Sequence, residues 1–178
     1  AERVEQRDDE IDQREVEVEE ECLRVLALYQ PVAIDLRLIV SVLKINSDLE
    51  RVGDLAVNIA HKALAVVNEL TVAVPDVLPD MAAKTQSMLH DSLDALVALD
   101  SKLEARVCAR DDEVDQLKRA IRLEVEDRIE TNPRHVRPLL RLLAVSRNLE
   151  RIADSATNIA EDVIYMVDGK IIRHREGE

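Results

Sequence analysis

Leu49-Glu50-Arg51-Val52-Gly53-Asp54-Leu55-Ala56-Val57-Asn58-Ile59-Ala60 returns one hundred residues later as Leu149-Glu150-Arg151-Ile152-Ala153-Asp154-Ser155-Ala156-Thr157-Asn158-Ile159-Ala160. Eight of the twelve positions are identical. Each copy places Glu and Asp at i, i+4 and Asn at i+8, a single slowly drifting polar stripe on a helix. Upstream, Arg7-Asp8-Asp9-Glu10-Ile11-Asp12-Gln13 answers to Arg110-Asp111-Asp112-Glu113-Val114-Asp115-Gln116 at an offset of 103 residues. A period of about 100 residues is too long for a solenoid unit and has the size of a small helical domain. The pattern predicts a duplicated helical bundle.

Composition agrees. Gly (3) and Pro (5) are scarce among 178 residues, and strong helix formers dominate, so an all-α protein is expected. Tyr29 and Tyr165 are the only aromatics, which leaves Leu, Val, Ile and Ala to build the core. A net charge of −13 argues against nucleic acid and against an anionic membrane surface, since neither finds a basic footprint. It leaves cations and basic proteins as partners. Cys22 and Cys108 form no CxxC pair, so buried, reduced thiols are expected. The apolar runs are too short to span a bilayer and no signal peptide is visible, which predicts a cytoplasmic protein.

Hydrophobic spacing predicts five helices. Val4, Ile11, Val18, Cys22, Val25 and Tyr29 mark the first, over residues 3–29, broken by Gln30-Pro31. Val42, Ile45, Leu49, Val52, Ala56 and Ile59 mark a second over 32–70. After the Pro75–Pro79 break, a third is expected over 80–108, with Met81 and Met88 as core filler. A fourth, over 111–130, stops before Asn132-Pro133, and a fifth starts around Pro138 and ends at Asp168-Gly169. The tail from Lys170 to Glu178 reads as a frayed end. Two units follow, 1–74 and 75–178. Arg3 aligns with Arg106 and Val4 with Val107, so the third helix has no counterpart before residue 3. The first unit thus holds two helices against three, and another helix must cover its apolar face: a partner chain, a swapped element or a further segment of the natural protein.

On the helix of the first copy, taking about 100° per residue, Asp54 and Asn58 follow Glu50 round the side opposite Val52, Ala56 and Ile59. Asp8 and Asp12 border the stripe of the upstream helix, as do Asp111 and Asp115 beside Glu150 and Asp154. If paired helices run antiparallel, each unit brings four carboxylates to one shallow surface. Crowded carboxylates raise one another's pKa, and a cation relieves the repulsion. All-oxygen ligands suit magnesium, manganese, calcium or iron. Asn58, Asn158 and Asp162 are possible further ligands. An ordinary solvated helix face presents the same pattern. Arg51 and Arg151 read as salt-bridge or docking groups, and His61, His90, His135 and His174 as structural or exposed. No His follows a Glu by three residues, as a ferritin-like di-iron bundle requires. Neither a Gly-rich phosphate loop nor a nucleophile motif is present.

The segments Gln30-Pro31-Val32-Ala33-Ile34-Asp35-Leu36-Arg37, Asp48–Ala60 and Ser146–Asp154 closely resemble the PhoU family of phosphate-signalling regulators. The resemblance covers nearly the whole chain. It implies a tandem repeat of two three-helix bundles, with the first helix of the first bundle absent from these residues. It implies a non-enzymatic adaptor, often dimeric, which links the phosphate ABC transporter ATPase to a sensor histidine kinase and represses the phosphate regulon when phosphate is plentiful. It also implies metal clusters (iron, manganese, magnesium or zinc) held by Asp8, Asp12, Glu50 and Asp54, and by Asp111, Asp115, Glu150 and Asp154. Members often carry His where this chain has Ser155. Two other classes remain open on the residues alone: a metal-dependent helical hydrolase or oxidase, and a purely structural helical scaffold.

Overall fold

A computed structural model describes residues 1–69 and 72–170, apart from the side chains of 69, 103–106 and 108. The expectations for Leu70, the Cys108 thiol and the tail from 171 fall outside the described residues. Among the described residues five α-helices follow one another: α1 (Glu2–Tyr29), α2 (Ile34–Glu69), α3 (Leu78–Ala98), α4 (Glu104–Thr131) and α5 (Val136–Asp168). There is no strand among the described residues. The first turn follows the sequence signal. Gln30 adopts the left-handed conformation (φ 47°), its N–H bonds to the Leu26 carbonyl, and Pro31 blocks continuation. Gly169 closes α5 with a φ of 70° and an N–H bond to the Tyr165 carbonyl.

Two boundaries differ from expectation: the fourth helix begins at Glu104 rather than at 111, and the third stops early. The third helix does not run to residue 108; it ends at Ala98. Leu99 turns left-handed (φ 50°), its N–H reaches the Leu96 carbonyl, and the Asp100 N–H reaches Ala95. These are the two bonds of a Schellman closure. The Asp100 carboxylate then accepts the Lys102 N–H at 2.9 Å, a 3₁₀ turn spans Ser101–Leu103, and α4 starts at once.

The 75–170 region has a closed core. Met81 and Met88 from α3 and Val107, Val114 and Ile121 from α4 are all at most 1% exposed, and they pack with Leu139, Leu149 and Ala153 of α5. The seven-residue spacing on α4 lays a narrow seam on an otherwise polar helix. Ion pairs tie α3 to α4: Lys84 Nζ to Glu113 Oε2 at 2.6 Å, and Arg110 to Asp91. The preceding region lacks that third layer. Ile11, which matches Val114, is 37% exposed where Val114 is 1% exposed, and Cys22 is the only buried residue of α1. Arg7 and Glu10 match Arg110 and Glu113. Instead of holding a third helix, they line an open groove with Leu49, Leu89 and Leu93.

α2 and α5 join the two regions, packed antiparallel in the most extensive helix pair. Ile45, Ile159 and Met166 form the apolar centre of this seam. Lys44 Nζ lies 3.5 Å from Asp162 Oδ1 and above the Tyr165 ring, and the Arg37 guanidinium lies over Gly169. No helix among the described residues is long and apolar enough to cross a membrane.

Candidate cation sites

The first cluster forms where α1 crosses α2. The two helices run antiparallel: Asp8 lies against Gly53, and Asn46 donates to the Glu15 carbonyl at 2.8 Å. The close approach needs glycine, since a Cβ on Gly53 would overlap the Asp8 Oδ1 atom. Asp8 and Glu50 are half-buried, while Asp12 and Asp54 are exposed. Burial, then Asp12, Asp54 and Asp9, push the Asp8 pKa above its usual range. Burial, then Asp54, Asp12, Glu15 and Asp8, do the same to Glu50. The Asp8 Oδ1 atom is buried with no hydrogen-bond partner. An orphaned carboxylate oxygen among carboxylates suits a hard cation better than any neutral donor.

The second cluster repeats this geometry where α4 crosses α5. Asp111 is pushed up from the usual 3.8 to about 6 by burial first, then by Asp154, Asp115, Asp112 and Glu150. Asp154 is raised by burial, Glu150 and Asp115, with Lys118 and Arg51 opposing. Here the charge is partly met from within. Lys118 Nζ donates to Glu150 Oε1 at 2.5 Å and lies 3.8 Å from Asp115 Oδ1. The repeat offset puts Glu15 at the matching position of the first cluster. Neither Glu15 nor Lys118 was among the expected site residues. Their signal was available as a charge reversal between aligned repeats, on the same face as Asp12 and Asp115.

The structure therefore brings both sets of four carboxylates together. Among the described residues, however, no three His, Cys, Asp or Glu side chains stand arranged around a common point that would hold a metal ion as they are placed. The additional candidates lie elsewhere. Asn58 donates back to the Asp54 carbonyl of its own helix at 2.9 Å. Asn158 is half-buried on α5, and Asp162, 2% exposed, sits in the α2–α5 seam against Lys44. Ser155 is buried, unlike the exposed Asp154 beside it. His61 pairs with Glu5 and His90 lies 3.5 Å from Asp94.

Gly53 gives a test that separates site from fold. Gly53→Ala should leave stability within about 1 kcal/mol, because helix propensity offsets the crowding. It should weaken Mn²⁺ binding roughly tenfold by turning the Asp8 carboxylate away. Thermal melting with a Mn²⁺ titration checks both; unchanged affinity would remove Asp8 from the cation set.

Residues 1–63 and 78–163 match the family model of the PhoU domain. A phosphate-specific transport system accessory protein PhoU homolog from Aquifex aeolicus is 39% identical over 175 residues, spanning 98% of this chain and 79% of that protein. The crystal structure of PhoU from Pseudomonas aeruginosa superposes with a TM-score of 0.89 at 37% identity, covering 95% of this chain and 81% of the other. That of the phosphate transport system regulatory protein PhoU from Streptococcus pneumoniae gives a TM-score of 0.85 at 30% identity, over 96% and 80% of the two chains. With the duplicated carboxylate motif in place on duplicated helix pairs, this chain belongs to the PhoU family.

Proposed function

We propose that this chain is a non-enzymatic regulator of phosphate uptake, acting in the cytoplasm as a homodimer of chains that each carry repeat units 1–74 and 75–178. It docks on the transporter's ATPase, a reading supported by relatives named as accessory proteins of the phosphate-specific transport system. Through a sensor histidine kinase it represses the phosphate regulon when phosphate is plentiful. The observation that carries this reading is the pairing of two carboxylate clusters with a PhoU-family fold. Asp8, Asp12, Glu50 and Asp54 would hold a hard cation such as Mg²⁺, Mn²⁺ or iron. The ion would supply positive charge that draws α1 onto α2 and offers open coordination positions to a partner's oxygen ligands. The chain's own residues do the rest: Gly53 admits the Asp8 carboxylate between the helices, and Glu50 adds its carboxylate from α2.

Two measurements test this. Elemental analysis should find less metal in a variant carrying Glu50→Ala and Asp54→Ala than in the wild type; equal content would reject the first cluster as a cation site. Co-purification with the transporter ATPase and the histidine kinase should be saturable and weakened by the same double change. A metal-dependent phosphatase turnover that vanishes with both clusters would instead make the protein an enzyme.

A further inference from the structure

We infer that Lys118 is the resident cation of the second carboxylate cluster, so that this chain binds metal at its first cluster and not at its second. The inference rests on the reading of the first cluster as a cation site. It departs from the symmetry that the repeated sequence suggests.

The repeat preserves every carboxylate but reverses one neighbour. Asp8, Asp12, Glu50 and Asp54 answer to Asp111, Asp115, Glu150 and Asp154, whereas Glu15 answers to Lys118. In the first cluster that position adds a fifth carboxylate, and Glu15 acts on Glu50. Among the described residues, none of the four carboxylates of the first cluster forms an ion pair. In the second, the Lys118 ammonium stands 2.5 Å from Glu150 Oε1 and 3.8 Å from Asp115 Oδ1, between α4 and α5. Arg119 Nη2 lies 3.9 Å from the other Asp115 oxygen. Two of the four prospective ligands are thus engaged by a tethered positive charge that occupies the space a metal would need. A divalent ion entering there would have to displace that ammonium against the attraction that holds it. Tethering spares the ammonium the translational cost that a free ion meets, so it competes from a high effective concentration.

The two clusters then differ in kind. The first exchanges its cation with solution, and the second is permanently closed by a side chain.

Mn²⁺ is the probe, counted by equilibrium dialysis and by its spin-resonance signal at fixed neutral pH. The wild type should bind one equivalent, lost with Glu50→Ala but kept with Glu150→Ala. Lys118→Gln should bind two, the second lost on adding Glu150→Ala. Lys118→Arg, which keeps the charge, should stay at one. The reciprocal Glu15→Lys should bind none. Lys118 and its partner Glu150 are both partly exposed, at 33% and 23%, so water can reach the carboxylate that Lys118→Gln leaves unpaired, and circular dichroism verifies the fold. A wild type with two equivalents, or no gain in Lys118→Gln over a wild type with one, would overturn the role of Lys118 while leaving the cation reading intact. A wild type with none but Lys118→Gln with one would support Lys118 and reject the first cluster. No binding in either protein would reject both.

Discussion

Ile121→Ala is expected to lower the unfolding free energy by about 2–5 kcal/mol, and Ile11→Ala by under about 1 kcal/mol. The chemistry removed is the same. The difference lies in what surrounds the side chain. Ile121 is 0% exposed, the last step of the Val107–Val114–Ile121 seam, enclosed between α3 and α5. Its removal leaves a cavity that close-packed neighbours cannot collapse. Ile11 sits on the two-helix side and is 37% exposed, so water already covers part of the surface it would vacate. Urea unfolding of both variants at neutral pH measures the contrast. Equal losses would mean that the first region is enclosed as fully as the second, contrary to the open groove beside Arg7 and Glu10.

That contrast was legible in the repeat, because it comes from counting aligned elements. Residues Glu2–Tyr29 and Glu104–Thr131 are the same helix in two copies, and among the described residues α3 packs on the second copy without a repeat partner of its own. The expected break between the third and fourth helices failed for the opposite reason. Periodicity carried the third helix to 108, because Leu99 and Leu103 continue its stripe. Yet Arg106 and Val107 align with Arg3 and Val4, which lie inside α1. The alignment therefore already required a new helix by 106, and a left-handed non-glycine cap at Leu99 leaves no residue-type signal. Tyr29 shows a similar limit: it keeps the helical spacing but sits at the α1 terminus and is 75% exposed.

The carboxylate clusters were legible because an i, i+4 pattern on two helices needs only their antiparallel packing to converge. What stayed hidden depended on long-range pairing. Asp162 has the spacing of a ligand, but Lys44, 118 residues away, holds it in the seam. Lys118 was hidden because attention to identical positions passes over a reversed one, and the reversal acquires meaning only once α4 is seen to cross α5 at Glu150.

In chelator-treated protein, the Asp111 carboxyl should make stability fall as pH rises from about 4 to about 7. Its folded pKa is about 6, against the usual 3.8, so between those values the folded state holds a proton that the unfolded chain has released. The stabilising contribution is therefore fully present below 3.8 and lost as pH rises through 6. Two pKa units correspond to roughly 3 kcal/mol. Asp111 is only half-buried, and solvent screening reduces the expected effect to about 1–2 kcal/mol. Asp154, Asp8 and Glu50 are shifted in the same direction, while paired groups such as Glu113 are shifted in the opposite one. The raw pH profile is thus a sum, and the comparison with Asp111→Asn isolates one member. Asparagine cannot ionise and resembles the protonated acid in size. The variant and the wild type should have similar urea midpoints near pH 4, and the variant should be the more stable by about 1–2 kcal/mol near pH 7. A difference that stays constant across that range would mean that Asp111 titrates normally, being less buried and farther from its carboxylate neighbours than the crossing of α4 and α5 places it. Adding Mn²⁺ extends the test to both clusters. A cation favours the ionised carboxylates, so it should stabilise the protein most at neutral pH and least near pH 4. With Lys118 closing the second cluster, that protection should survive Asp111→Asn and disappear with Asp8→Asn.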